Sequence, residues 1–206
     1  TGAIIPKNAD FVFMIEDSEL IDNHTVKFVG NSTSTNICLE GEDIKVDDIV
    51  LQKGTLIQAF HAGILATVGC WNVPVTKKPK IGILTTGDEL IEPHEKLEAA
   101  KIRNSNAYQL ISSCKSLQID ANYYGIIQDD PEITFQTIRK AIDENDLIII
   151  TGGVSMGEFD FVPKAIEKCG LKILFDSIAI QPGRPLTYAT KNNKHCFGLP
   201  GNPVSS

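Results

Sequence analysis

The sequence predicts an α/β protein: a mostly parallel sheet in a three-layer arrangement, preceded by a smaller β-rich segment. Three observations carry this. From Lys80 onward, short apolar runs alternate with stretches of helical spacing, the pattern of parallel strands joined by crossover helices. Two of the runs, residues 81–84 and 147–150, are the length and composition of strands buried on both faces. Before that, strand-like pieces are separated by turn-rich stretches such as Gly30-Asn31-Ser32-Thr33-Ser34-Thr35-Asn36.

Taken in order, residues 10–15 and 26–29 read as strands of the β-rich part. Residues 57–68 place Ile57, Phe60, Ile64, Leu65 and Val68 at helical spacing and end at Gly69, a C-cap residue. Pro74 and Pro79 flank Lys77-Lys78 and suit a linker. Residues 80–85 are a strand. Residues 104–117 are a helix capped by Asn104 or Ser105, with Tyr108, Leu110, Ile111 and Leu117 apolar. Residues 121–127 are a strand, and 131–144 a helix with Pro131 in its first turn and Ile133, Phe135, Ile138, Ala141 and Ile142 toward the core. Residues 146–151 form the most apolar strand, 161–169 a helix closed by Gly170, and 171–179 a strand. Residues 185–190 and 195–199 make a hairpin over Asn192-Asn193.

With 206 residues and a net charge of −7, the chain lacks the basic balance of a nucleic-acid or anionic-membrane binder. No apolar run approaches the roughly 20 residues needed to cross a bilayer. The five cysteines are scattered without a CxxC pair, which suits thiols in a reducing cytoplasm. Neither end reads as a natural terminus, so a fragment is expected.

In a parallel sheet, ligands sit beyond the carboxyl ends of the strands. Three loops there are rich in Gly, hydroxyl and carboxylate groups: Thr85-Thr86-Gly87-Asp88-Glu89-Leu90, Ile127-Gln128-Asp129-Asp130-Pro131, and Thr151-Gly152-Gly153-Val154-Ser155-Met156-Gly157-Glu158-Phe159-Asp160. In the third, Gly152, Gly153 and Gly157 allow tight turns whose amides can nest an anion, with Ser155 adding a hydroxyl. Asp160 then either N-caps the next helix or holds a divalent cation against a phosphate. Asp129 and Asp130 pose the same choice, with one of the two capping the helix at Pro131. Asp88-Glu89 is either a solvated turn or part of the site. Gln181-Pro182-Gly183-Arg184-Pro185 and Gly198-Leu199-Pro200-Gly201-Asn202-Pro203-Val204-Ser205 are rigid turns, with Arg184 either a surface residue or a phosphate contact.

In this order, these segments resemble the MoeA/gephyrin family of molybdopterin molybdenumtransferases across essentially the whole chain. The resemblance also rests on Thr1-Gly2-Ala3 with Pro6, Asn36-Ile37 followed by Gly41-Glu42-Asp43, Leu65-Ala66-Thr67-Val68-Gly69, and Lys101-Ile102-Arg103-Asn104-Ser105-Asn106. It implies a β-rich domain over residues 1–45, part of an elongated dimerising segment over 46–78, and a molybdopterin-binding α/β domain over 79–206. Further sequence on both sides is usual in the family.

The resemblance implies a reaction in which molybdenum from molybdate enters adenylylated molybdopterin, with Mg²⁺-dependent release of AMP. Asp129 and Asp160 match acidic positions expected to hold the metal and take part in catalysis. Glu89 and Asp43 match further catalytic positions. Thr1, Thr86, Gly87, Asp88, Gly152, Gly153, Ser155, Gly157, Glu158, Arg184, Pro200, Gly201, Asn202 and Pro203 are the implied binding residues. The chain departs from the family at Cys38 and Gln181, where basic residues are frequent, and carries Arg184 where Lys is common. A cytoplasmic homodimer is implied, with a molybdopterin adenylyltransferase as a candidate partner. Adenylyltransferases and CinA-like proteins share the α/β fold, but the former lack the β-rich part and the latter a loop of this wording. A gephyrin-like scaffold, or an inactive pterin-binding module, is the alternative to an enzyme.

Overall fold

The computed structural model describes residues 2–31, 34–154 and 161–206. The chain divides into two compact units, Thr1–Pro74 and Val75–Ser206.

In the first unit, β1 (Ser18–Asp22) and β2 (Thr25–Phe28) form an antiparallel hairpin. Its turn is held by the Asp22 carboxylate, which accepts from the His24 N–H at 2.8 Å. The expected strand over residues 10–15 is corrected. The Val12 N–H donates to the Thr35 carbonyl and the Asn36 side chain to the Val12 carbonyl, isolated bonds and not a ladder. Ile15–Asp17 then turns as a short 3₁₀ helix into β1. Helix α1 (Ala59–Thr67) is apolar on most faces, and none of its residues is buried. It ends in a Schellman motif: Gly69, at φ +72°, donates to the Ala66 carbonyl and Cys70 to that of Leu65.

The second unit is a three-layer α/β/α sandwich. Its strands are β3 (Ile81–Thr86), β6 (Ala121–Ile127), β7 (Leu147–Thr151), β8 (Lys172–Ser177), β9 (Pro185–Lys191) and β10 (Lys194–Leu199). They lie in the order β6-β3-β7-β10-β9-β8. The first four are mutually parallel, and β9 runs antiparallel to both of its neighbours. A small parallel ribbon, β4 (Leu90–Ile91) with β5 (Ile102–Arg103), was not anticipated from sequence, because two-residue strands carry no periodicity. Helix α2 (Asn106–Ser116) packs on one face of the sheet, with Ala107 and Cys114 against Ile81 and Ile83. Helices α3 (Pro131–Glu144) and α4 (Phe161–Lys168) cover the other, with Ile138, Ala141, Val162 and Ile166 against Leu84, Ile148 and Ile150. The two apolar clusters draw on alternate residues of β3 and β7, which is why both strands read as continuous apolar runs.

Ile133, expected toward the core, is 44% exposed, and two apolar positions of the expected helix over 104–117, Tyr108 at 42% and Leu117 at 69%, are exposed as well. Their places are taken by small or polar residues such as Ala107, Cys114 and Thr134, which fit where helix and sheet approach closely. The expected hairpin forms over Asn192-Asn193, with Asn192 at φ +53°.

Candidate functional site

The turns at the carboxyl ends of β3, β6, β7 and β10 are tied in two pairs by backbone hydrogen bonds. The Gly152 N–H donates to the Leu199 carbonyl at 3.1 Å, joining the turn after β7 to the end of β10. The Gly87 N–H donates to the Ile127 carbonyl at 3.3 Å, joining the turn after β3 to the end of β6. Gly152 requires glycine on two grounds: its φ is +84°, and a Cβ would lie 2.4 Å from the Thr86 carbonyl oxygen. At Gly153, with φ +60°, a Cβ would lie 2.8 Å from the Thr86 hydroxyl oxygen.

Two cavities open beside these turns. The first, of about 280 Å³, brings together Thr86, Glu89, Gly152, Gly201, Asn202 and Pro203 of the expected residues. It adds Thr151 and the segment Ile102, Arg103, Asn104, Ser105 and Asn106. The Asn106 amide nitrogen donates to the Gly201 carbonyl at 2.9 Å and so ties the turn after β10 to the start of α2. Among the described residues, three buried side-chain oxygens lack a hydrogen-bond partner; the Thr86 hydroxyl and the Asn106 amide oxygen belong to this cavity's lining residues, and the third, Thr187, does not. Such orphans are uncommon in folded proteins and mark this corner as built for more than packing.

The second cavity, of about 610 Å³, is lined by Gly87, Asp88, Leu90, Lys101, Ile126, Gln128, Asp129 and Asp130. Of its adjacent carboxylates, Asp130 is the helix cap: its Oδ1 accepts from the Glu132 and Ile133 N–H groups at 2.9 and 2.8 Å. Asp129 instead faces the turn after β3. Its N–H donates to Asp88 Oδ1 at 3.1 Å, and its Oδ2 accepts from the Asp88 N–H at 3.4 Å. Capping of α2 resolves similarly, with Asn104 Oδ1 accepting from the Ala107 N–H at 3.3 Å while Ser105 makes no cap bond.

The β4–β5 ribbon at the mouth is anchored by a polar network. Glu92 accepts from the Tyr123 hydroxyl at 2.7 Å and the Tyr108 hydroxyl at 2.9 Å. The buried Asn104 amide donates to Tyr123 at 2.7 Å and to the Thr85 hydroxyl at 3.0 Å. Burial, and then the Glu92 carboxylate, push the Tyr123 phenol well above its ordinary value, so it stays protonated and donating.

Other expected residues stand apart. Arg184 is exposed at the start of β9 and lines neither cavity, as do Gly153 and Pro200. Asp43 belongs to the first unit, in a surface cavity of about 570 Å³ with Cys38, Glu42 and Asp48. Thr1, Ser155, Gly157, Glu158 and Asp160 lie outside the described residues. Among the lining residues that sequence reasoning did not nominate are Lys101, Arg103, Asn104, Ser105 and Asn106. The signal available for them was a polar string, Asn104-Ser105-Asn106, at the mouth of an otherwise amphipathic helix.

A three-layer sandwich with glycine turns and carboxylates gathered at one edge of a parallel sheet defines an α/β ligand-binding domain. Residues 82–206 match the family described as a probable molybdopterin binding domain, and residues 1–69 match the MoeA N-terminal region, domains I and II. The chain belongs to this MoeA family of molybdopterin-binding proteins. It is 40% identical over 205 residues to a molybdopterin molybdenumtransferase of Staphylococcus epidermidis, covering 98% of this chain and 48% of that protein. It is 39% identical over 207 residues to the protein of the same name from Bacillus subtilis, with the same coverage. Among solved structures, a molybdopterin biosynthesis MoeA protein from Pyrococcus horikoshii OT3 superposes with a TM-score of 0.77 at 33% identity, covering 100% of this chain and 49% of that one. The chain thus spans about half the length of the curated relatives it matches.

Proposed function

We propose that this protein is a molybdopterin molybdenumtransferase, which transfers molybdenum from molybdate into adenylylated molybdopterin and releases AMP in a Mg²⁺-dependent step. The observation that carries the reading is the division of labour between Asp129 and Asp130. Asp130 is committed to capping α3, while Asp129 is turned toward the Asp88 loop at the carboxyl edge of the sheet. That edge is where a parallel α/β sheet takes its ligand.

The donor chemistry of the Asp129 cavity fits Mg²⁺. Beside Lys101, its polar lining of Asp88, Gln128, Asp129 and Asp130 offers oxygen donors and neither thiol nor imidazole. Among the described residues, no group of three or more His, Cys, Asp or Glu is placed to hold a metal. Asp129 and Asp160 as the proposed ligands would leave other positions to water and phosphate oxygens, the arrangement Mg²⁺ favours. When bound, the ion supplies charge neutralisation and polarisation at a phosphoanhydride linkage.

The chain's own groups then take distinct roles. Asp129 and Glu89 are the groups proposed to orient and deprotonate a water attacking the adenylate phosphorus. Asp43 is the proposed catalytic contribution of residues 1–45, and residues 46–78 are the proposed dimerising segment. Thr86, Gly87, Asp88 and the Gly152-Gly153 turn, together with Thr1, Ser155, Gly157 and Glu158, bind the adenylate or pterin phosphate. Pro200, Gly201, Asn202 and Pro203 shape the wall, and Arg184 is a phosphate contact. A homodimer is supported by α1, whose Phe60 is 60% exposed, with Leu56 and Trp71 nearby in sequence at 78% and 92%. No helix among the described residues is long and apolar enough to cross a membrane. A cytoplasmic setting and supply of substrate by a molybdopterin adenylyltransferase complete the proposal.

The test is AMP release from adenylylated molybdopterin in the presence of molybdate and Mg²⁺, for the wild type and for Asp129→Asn and Asp160→Asn. Molybdate-dependent release that is lost in both variants is expected. No release from folded wild-type protein sinks the enzyme reading, and release unaffected by the substitutions discards the metal assignment.

A further inference from the structure

We infer that Lys101 is an oxyanion-binding residue of the Asp129 cavity, an assignment that rests on the proposed transferase reading. Among the described residues, Lys101 is the one cationic residue in the lining, against Asp88, Asp129 and Asp130. In a cavity so lined, a fixed cation favours phosphate or molybdate in addition to the Mg²⁺ proposed above. The carboxylates are already drawn onto backbone: Asp130 onto the first turn of α3, and Asp88 and Asp129 onto each other's N–H groups. Among the described residues, no ion pair joins Lys101 to any of these carboxylates. The ammonium instead donates to the Asp88 backbone carbonyl, which fixes the side chain across the mouth.

The position of Lys101 is set by its surroundings. It precedes β5, whose first residue donates backbone N–H to the Glu89 carbonyl at 2.8 Å, so the ribbon register places Lys101 beside the turn after β3. The residue is half-buried. Among the described residues the ammonium makes one hydrogen bond out of three. The remaining two N–H groups are the donors an oxyanion requires. Arg103, two residues on, is spent differently, with its Nε donating to the Pro93 carbonyl at 3.2 Å. The shared ligand chemistry is a tetrahedral oxyanion, either the phosphate of the adenylate or molybdate.

Calorimetric titration of AMP and, separately, of sodium molybdate in Mg²⁺ buffer tests this on the wild type, Lys101→Gln, Lys101→Met and Lys101→Arg. Lys101→Gln retains a donor for the Asp88 carbonyl and removes the charge, so it separates binding from mere bracing of the loop. A charge-assisted contact predicts roughly tenfold weaker binding of one oxyanion in both the Gln and Met variants, with partial recovery in Lys101→Arg. It also predicts a shallower dependence of affinity on ionic strength, which loss of a structural contact would not produce. The ligand that weakens identifies the source of the oxyanion. Affinities within twofold of wild type for both ligands in Lys101→Gln would overturn the assignment and leave the transferase reading standing. A folded wild type that binds neither ligand would overturn both.

Discussion

Asp88 and Asp129 hold each other's backbone. Asp88 Oδ1 accepts from the Asp129 N–H at 3.1 Å, and Asp129 Oδ2 accepts from the Asp88 N–H at 3.4 Å. Two loops 41 residues apart in sequence are thereby clamped at the carboxyl edge of the sheet. Asp88→Ala removes the better acceptor and is expected to cost about 1 kcal/mol, the usual net worth of a solvent-exposed hydrogen bond. Asp88→Asn keeps Oδ1 as an acceptor and is expected to cost less than half as much. Urea unfolding of both variants checks the difference; equal losses would mean that the charge, and not the bond, holds the loops.

A steric prediction follows at Gly152. A Cβ there would stand 2.4 Å from the Thr86 carbonyl oxygen, a backbone atom that cannot step aside, and the φ of +84° disfavours any L side chain. Gly152→Ala should therefore destabilise by roughly 2 kcal/mol or more. Gly63 is the control, since it lies inside α1 and a Cβ would meet nothing within 4 Å. Gly63→Ala should stabilise by about 0.5–1 kcal/mol through helix propensity. Opposite signs in the two melting shifts are the expected outcome.

The sheet was legible because β3 and β7 are apolar on both faces, and that pattern survives any detail of packing. The cap of α3 was legible only as a choice between neighbours, since Asp129 and Asp130 differ in direction and not in type. The β4–β5 ribbon was hidden. It is held by Glu92, Tyr108, Tyr123 and Asn104, which come from a loop, a helix and a strand and converge only in three dimensions. For the same reason Lys101 and Asn106 went unnominated although their string was noticed. Exposure of Leu117 and Ile133 reflects where each helix axis lies over the sheet, which spacing along a single helix does not encode.

Acid should loosen the opposite edge of the sheet. The Asp146 carboxylate accepts from the Lys80 N–H at 2.9 Å where β3 and β7 begin. That backbone hydrogen bond chiefly, helped by Lys194, Lys77 and Lys80, holds the carboxyl below its ordinary value of 3.8. A folded value below the unfolded one means the contribution to stability is complete well above pH 3.8 and is lost as pH falls through the lowered folded value. Asp146→Asn should therefore melt below the wild type near neutrality, with the gap closing as the pH drops beneath that range. A gap independent of pH would show that shape, and not ionisation, matters at this position.

The Glu92 network makes the last prediction, and it separates two tyrosines that look alike in sequence. Both hydroxyls donate to Glu92, at 2.7 Å from Tyr123 and 2.9 Å from Tyr108. Only Tyr123 also accepts from the buried Asn104 amide, which is 2% exposed. Tyr123→Phe therefore removes an acceptor from a buried donor, whereas Tyr108→Phe removes a bond at the surface, which water can replace. Expected losses are about 1–2 kcal/mol for the first and under about 1 kcal/mol for the second. Because Asn104 retains the Thr85 hydroxyl at 3.0 Å, the loss at Tyr123 stays below that of a fully orphaned amide. A double-mutant cycle of Tyr123→Phe with Asn104→Ala should then give a coupling energy of roughly 0.5–1.5 kcal/mol, measured by urea unfolding. Additive losses would mean that the short contact contributes nothing, and the ribbon would need another anchor.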